Sequence, residues 1–158
     1  MEKVGKREGW EVGVVSVNWS GGFIRGVVGE GCGGLGLGKG MGRVVANGVV
    51  GGVVEGPGEL GREVLVTAGD KMRAMGLLRE GKGEGERVVY FGDSPTDLAC
   101  LLEADLGVVI ADDGGSKLLK TLERIGLEVP HLGEGKDGRL VWARDFEEVL
   151  ESGVMDRI

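Results

Sequence analysis

The sequence predicts an α/β fold of three layers, in which a doubly wound parallel sheet lies between helices. Short apolar runs rich in valine alternate with stretches that have helical spacing of apolar residues, which is typical of this class. The clearest unit covers residues 87–110, where a strand-like run, an acidic turn, a helix and a second buried strand follow one another. In such units, ligands bind just beyond the carboxyl ends of the strands.

Composition and charge limit the class of protein. The chain has 158 residues, of which 41% are hydrophobic, and this is enough for a single domain over residues 1–158. Its formal net charge of −7 disfavours nucleic acid and anionic membranes as partners. Cys32 and Cys100 lie far apart without metal-ligand spacing, which indicates reduced thiols in a cytoplasmic protein. No apolar run approaches the roughly 18 residues of a membrane span.

The first half of the chain alternates strands and helices. Extended segments are predicted at residues 11–17, 43–47, 49–55 and 63–67. Ser20 is the expected N-cap of a first helix, and residues 70–79 are predicted to form a second. Asn47 and Gly48 are a favoured turn pair, so a hairpin is predicted around them.

Glycine is unusually frequent, at 34 of 158 residues, and is concentrated in residues 29–42. This segment contains a formal match to the nucleotide-binding pattern G-x-G-x-x-G. With so many glycines such a match is nearly unavoidable, and no strand and helix flank it as the motif requires. The sequence therefore predicts a flexible surface loop here.

The second half repeats the alternation. Strands are predicted at residues 87–91, 106–110, 129–132 and 140–142. Helices are predicted at residues 98–104, 116–125 and 145–152. Asp145 is the expected N-cap of the last helix, and the only histidine, His131, is assigned no role.

Two carboxylates occupy the turn after residues 87–91. Asp93 follows the strand directly, and Asp97 lies four residues later in the first turn of a helix, so the two are expected to be close. Mg²⁺ takes oxygen ligands, often only one or two carboxylates together with water and phosphate. The alternative is that Asp93 caps the helix and Asp97 complements its dipole.

Two further strand ends carry polar residues. Ser16 comes at the end of the first predicted strand, and Lys71 opens the helix after residues 63–67. A hydroxyl, an ammonium and paired acids are the groups that a site for Mg²⁺ and phosphate needs. The alternative is a packed hydroxyl and a solvated lysine, although a lysine in the first turn opposes the helix dipole.

The order of Ser16, Gly69-Asp70-Lys71 and Gly92-Asp93-Ser94-x-x-Asp97 resembles the second, third and fourth motifs of the haloacid dehalogenase (HAD) superfamily of phosphatases. The resemblance runs over nearly the whole chain and is greatest to the phosphoserine-phosphatase-like branch. Within that branch, VSVNWSGGFIRG and GDSPTDLACLLEADLGVVI resemble the HAD domain of plant and fungal thiamine monophosphate phosphatases.

This resemblance implies roles for individual residues in a Mg²⁺-dependent phosphomonoesterase with a Rossmann-like core. Asp93 would bind Mg²⁺, and Asp97 would act through a metal-bound water or hold Lys71. Lys71 would stabilise the phosphoryl group, and Ser16 would donate a hydrogen bond to it. Asn18 and Trp19, just beyond the first strand, would face the substrate, a small phosphorylated metabolite.

One departure from the family is large: the chain contains no Asp-x-Asp, the motif that supplies the nucleophile and the general acid/base. We therefore expect an N-terminally truncated, incomplete core without its first, central strand, and little or no turnover. The alternative is a non-catalytic module that binds phosphate, metal or a partner. A receiver-like domain is a third reading, but it needs an acidic pair near the first strand, which the sequence lacks.

Overall fold

The protein is a mixed α/β structure with parallel sheets, seen in a computed structural model that describes residues 11–33, 41–81, 83, 85–134 and 138–158. The chain divides into two compact units, Met1–Glu80 and Gly81–Ile158. The first unit contains two two-stranded sheets and the second a three-stranded sheet, and each unit has its own buried apolar cluster. The α/β class is thus confirmed, and the single domain over residues 1–158 stays a prediction.

The first unit is built on a parallel strand pair. Its elements are β1 (Val12–Ser16), α1 (Gly21–Gly33), β2 (Met41–Ala46), β3 (Gly48–Val50), β4 (Val53–Glu55), a 3₁₀ turn (Gly58–Leu60) and α2 (Ala68–Arg79). Strands β1 and β2 are parallel, with Ser16 opposite Ala46 at their carboxyl ends. Val45 and Ala74 are fully buried, so α2 packs on this pair through small and branched side chains.

Helix α1 begins as the sequence predicts. The Ser20 hydroxyl accepts a hydrogen bond from the Phe23 N–H at 3.1 Å, which confirms Ser20 as the N-cap. The Gly21 N–H donates to the Asn47 carbonyl at 2.7 Å and anchors the helix start. The helix then continues to Gly33 and β2 begins at Met41, so the loop prediction is wrong for residues 29–33 and 41–42. Residues 34–40 lie outside the described part of the chain.

The hairpin predicted between residues 43–47 and 49–55 is wrong, because β2 pairs with β1 and both strands of the observed hairpin lie within residues 48–55. Strands β3 and β4 pair antiparallel, with Val50 opposite Val53. Gly51 and Gly52 form the turn with φ of 58° and 84°, the positive values that a tight two-residue hairpin turn requires. The turn predicted at Asn47 and Gly48 is therefore wrong, because two adjacent glycines adopt positive φ at lower cost.

Asn47 has a different role. Its side-chain amide donates to the Val17 and Leu65 carbonyls at 3.0 and 2.9 Å, and its carbonyl accepts from the Leu65 N–H at 2.8 Å. Residues 63–67 were predicted to be extended. They pair with no strand in the described structure, and Asn47 supplies the hydrogen bonds that a neighbouring strand would otherwise give to Leu65.

The second unit is a three-stranded parallel sheet with order β5-β6-β7. Its elements are β5 (Val89–Gly92), a 3₁₀ turn (Pro95–Asp97), α3 (Leu98–Glu103), β6 (Leu106–Ile110), α4 (Lys117–Arg124), β7 (Leu140–Ala143), α5 (Phe146–Ser152) and a 3₁₀ turn (Val154–Arg157). The central strand β6 is almost wholly buried, and Val109 packs with Leu101 of α3 and Leu122 of α4. The βαβ unit predicted over residues 87–110 is confirmed.

Two details of this unit test the sequence predictions. The strand predicted at residues 129–132 is reduced to a single bridge between His131 and Trp142, because Pro130 has no N–H to donate. The last helix is capped by Asp145, whose carboxylate accepts from the Glu148 N–H at 2.8 Å, as predicted.

In the described part of the chain, no helix combines the length and apolar character that crossing a membrane requires.

Candidate functional site

In the first unit, three of the predicted site residues lie at the end of β1 and just beyond it. Ser16 is the last residue of the strand, and its hydroxyl accepts a hydrogen bond from the Asn18 N–H at 3.1 Å. Asn18 is exposed, and Trp19 is 67% exposed. A hydroxyl, an amide and an aromatic face are thus available to a ligand at this strand end.

Lys71 lies in the first turn of α2, as predicted, but it is not solvated. Lys71 is only 6% exposed. Lysine is rarely buried without a compensating partner. The Thr67 hydroxyl accepts from the Asp70 N–H at 3.2 Å, and the Asp70 carboxylate accepts from the Thr67 N–H at 2.8 Å. This capping box fixes the start of the helix that carries Lys71.

Asp70, the neighbour of Lys71, is engaged in that cap. Hydrogen bonds from Arg73, at 2.7 Å, and then from the backbone N–H groups of Thr67 and Val66 hold the pKa of the Asp70 carboxyl well below its usual range. Asp70 therefore stabilises the helix start as a carboxylate.

In the second unit, Asp93 follows Gly92 at the carboxyl end of β5. It is exposed, and it makes no hydrogen bond or ion pair with any residue that the structure describes. The N-cap of the following turn is Ser94, so the alternative in which Asp93 caps the helix is wrong. An exposed carboxylate at the end of a parallel strand is open to a cation.

Asp97 is only 3% exposed, and both of its carboxylate oxygens accept hydrogen bonds. The Tyr90 hydroxyl donates to Oδ1 at 2.7 Å, while the Ser94 N–H and hydroxyl donate to Oδ2 at 3.2 and 2.8 Å. Ser94 and Asp97 thus form a capping box. Asp97 anchors the turn that carries Asp93, and its role in acting through a metal-bound water or in holding Lys71 stays a prediction.

The packing around Asp97 is tight. A Cβ atom at Gly92 would lie 2.4 Å from the Asp97 Cβ, so only glycine fits beside it. The pKa of the Tyr90 hydroxyl is raised far above its ordinary value, mainly by burial and to a smaller extent by the hydrogen bond to Asp97. The Tyr90 hydroxyl therefore remains a hydrogen-bond donor to Asp97 throughout the physiological pH range.

The structure brings Ser16, Asn18 and Trp19 together in the first unit, and Asp93 and Asp97 together in the second. That both groups act on one ligand stays a prediction. No group of three or more histidine, cysteine, aspartate or glutamate side chains in the described residues is arranged to hold a metal ion. Mg²⁺ does not need such a group, since one or two carboxylates with water and phosphate suffice, and the exposed Asp93 fits that donor set.

The sequence patterns assign no role to two members of this site, of which Ser94 occurs only as part of the Gly92-Asp93-Ser94-x-x-Asp97 motif. The first is Ser94, although Ser94-x-x-Asp97 matches the capping-box pattern and could have revealed it. The second is Tyr90, seven residues before Asp97, for which the sequence carries no signal beyond its place in a strand.

Comparisons with protein-family models, with curated proteins and with solved structures gave no match for this chain.

Proposed function

We propose that this chain is a HAD-type, Mg²⁺-dependent phosphomonoesterase domain for small phosphorylated metabolites, and that it binds Mg²⁺ and phosphate with little or no turnover. The observation that carries the proposal is the exposed carboxylate of Asp93. It lies at the carboxyl end of a parallel strand, on a turn that the buried Asp97 holds in place. Such a group is suited to present one oxygen ligand to a hydrated Mg²⁺.

The first unit has residues of its own that are suited to bind a phosphoryl group. The Ser16 hydroxyl would donate to a phosphoryl oxygen, and the Lys71 ammonium would offset its negative charge. The burial of Lys71 supports this role, because a lysine without a binding function usually places its ammonium group in solvent. Asn18 and Trp19, both exposed beyond β1, would contact the organic part of the substrate.

A second candidate function is a non-catalytic module that binds a phosphorylated ligand or a protein partner. The 158-residue sequence contains no Asp-x-Asp, and this favours binding over hydrolysis. Where the second candidate binds a phosphorylated ligand, it shares with the first the Mg²⁺ site, the small phosphorylated ligand and a cytoplasmic setting. In that case the two differ only in whether the phosphate ester is cleaved.

A binding experiment tests the shared part of the proposal. We expect inorganic phosphate and Mg²⁺ together to raise the melting temperature of the purified chain, since a ligand that binds only the folded state stabilises it. Asp93→Asn should abolish the Mg²⁺-dependent part of the shift. Glu123→Gln, which removes one exposed carboxylate from the last turn of α4, is the matched control and should keep the shift. Absence of any shift with the unaltered chain would contradict the proposal.

A turnover experiment separates the two candidates. The purified chain is incubated with Mg²⁺ and a generic aryl phosphate, and the release of phosphate is measured. We expect release no faster than with Asp93→Asn. Mg²⁺-dependent hydrolysis that Asp93→Asn abolishes would show that the chain is catalytic and would overturn the expectation of little turnover.

A further inference from the structure

We propose that Tyr90 is a positioning residue of the Mg²⁺ site, and that it acts through Asp97 to fix the peptide backbone on both sides of Asp93. This inference rests on the proposed function, because it assigns Tyr90 to the metal site centred on Asp93. Tyr90 itself would touch neither the metal ion nor the substrate.

A continuous series of contacts links the Tyr90 hydroxyl to the backbone on both sides of Asp93. The Tyr90 hydroxyl donates to Asp97 Oδ1 at 2.7 Å, and the opposite oxygen, Oδ2, accepts from the Ser94 N–H at 3.2 Å. That N–H belongs to the peptide group that joins Asp93 to Ser94. On the other side of Asp93, the Gly92 backbone lies so near Asp97 that an added Cβ would be 2.4 Å from the Asp97 Cβ. Asp97 therefore contacts the backbone of both residues that flank Asp93, Gly92 and Ser94.

The orientation of Asp97 depends on donors to both of its oxygens. Ser94 supplies the donors to Oδ2 from within the turn itself, whereas Tyr90 supplies the donor to Oδ1 from strand β5. The strand is held in the parallel sheet, with Tyr90 opposite Gly107 of β6. Tyr90 thus links the turn to the parallel sheet, and without its hydroxyl the buried Asp97 carboxylate would lose this hydrogen bond to strand β5.

The expected consequence is a loss of metal affinity without a loss of fold. Tyr90→Phe removes one oxygen atom and keeps the ring, so the packing of β5 is preserved. Residues that hydrogen-bond to a metal ligand and orient it typically contribute about 10-fold or more to metal affinity. Mn²⁺ is used as the probe in place of Mg²⁺. We expect Tyr90→Phe to bind Mn²⁺ about 10-fold more weakly than the unaltered chain. A freer turn should also leave the Ser94 N–H less protected.

The experiment measures free Mn²⁺ by electron paramagnetic resonance and Ser94 amide exchange by NMR. The variants are the unaltered chain, Asp93→Asn, Tyr90→Phe and Phe146→Leu. Phe146→Leu is the matched control, because it removes the ring contact between Phe91 and Phe146 at 5.1 Å in the same unit without touching Asp97. It should leave both Mn²⁺ affinity and Ser94 exchange unchanged.

Support requires that Tyr90→Phe weakens Mn²⁺ binding and speeds Ser94 exchange while Phe146→Leu does neither. Binding by the unaltered chain that Asp93→Asn abolishes but Tyr90→Phe leaves intact would overturn this inference and keep the proposed function. Equal losses in Tyr90→Phe and Phe146→Leu would also overturn it, since the effect would then be general destabilisation. No Mn²⁺ binding by the unaltered chain would overturn both.

Discussion

Asn47 joins three segments of the first unit through its side chain alone. It links the end of β2 to Val17, just past β1, and to Leu65 in the segment before α2. The two hydrogen bonds to Leu65 are buried, and the one to the Val17 carbonyl is partly buried. Removing the side chain would leave one N–H and two carbonyl groups of the backbone without these hydrogen bonds, and buried polar groups without partners are costly.

Asn47→Ala is therefore expected to lower the free energy of unfolding by about 3 kcal/mol. Urea denaturation followed by circular dichroism measures the loss. The control is Asn18→Ala, at an exposed position where the described hydrogen bond uses the backbone N–H, and it should change stability by less than about 0.5 kcal/mol. Equal losses in the two variants would contradict this account of Asn47.

At the scale of elements, helix α5 is tied to the rest of the second unit by Glu148. Its carboxylate accepts from the Arg144 N–H at 2.6 Å and from the Arg144 guanidinium at 3.1 Å, and it lies 3.0 Å from His131 Nε2. The Arg144 N–H is the largest of the influences that lower the pKa of Glu148, and the Arg144 guanidinium and His131 add to it. The carboxylate form of Glu148 is thus favoured by folding.

The lowered pKa of Glu148 makes stability depend on pH in a defined direction. The contribution of this carboxylate is present above its unfolded pKa of about 4.3 and is lost as the pH falls below that value. Glu148→Gln should therefore be less stable than the unaltered chain at pH 7, and the difference should shrink between pH 5 and pH 3. Urea denaturation at several pH values measures this. Glu147→Gln, its exposed neighbour in α5, should show no such convergence.

The β3–β4 hairpin makes a second prediction at this scale. Because Gly52 has a φ of 84°, Gly52→Ala should destabilise the turn by about 1–2 kcal/mol. Gly51→Asn should be tolerated, because asparagine adopts positive φ readily and Asn-Gly is a favoured pair in such turns. Amide exchange at Val50 and Val53 reports the difference. A hairpin that loosens equally in both variants would contradict the turn geometry.

How far the sequence predicts these elements depends on whether the signal is local. Ser20 and Asp145 were predicted as N-caps and are confirmed, because a cap is formed by residues only a few positions apart. The role of Asn47 could not be predicted, since its partner Leu65 is 18 positions away. In the same way Asp93 and Asp97 were found as a pair, but Tyr90 was not, because its hydrogen bond to Asp97 depends on the path of strand β5.

At the scale of the whole molecule, each of the two units encloses its own apolar cluster. In the second unit, Leu118 and Leu122 of α4 pack with Leu101 and Val109, and all four are buried. All the described members of this cluster belong to the second unit. The second unit therefore contains what a cooperative core requires.

We expect Gly81–Ile158, expressed as a chain of its own, to unfold in a single cooperative transition. Leu122→Ala in that fragment should lower its stability by about 2–5 kcal/mol, since it removes a fully buried side chain from the centre of the cluster. Differential scanning calorimetry measures both. The exposed Leu102→Ala serves as the control and should cost much less. A fragment without a cooperative transition would show that the second unit depends on the first.

The strand pairing also governs how fast the chain can fold. Strands β1 and β2, and the strands of the β5-β6-β7 sheet, are all parallel, and parallel neighbours cannot be joined by a tight turn. Each ladder therefore requires the closure of a long segment before its first hydrogen bond forms. Among the described strands, only β3 and β4 pair residues that are close in sequence. We expect this hairpin to form early and both parallel sheets to follow slowly, as non-local topologies do.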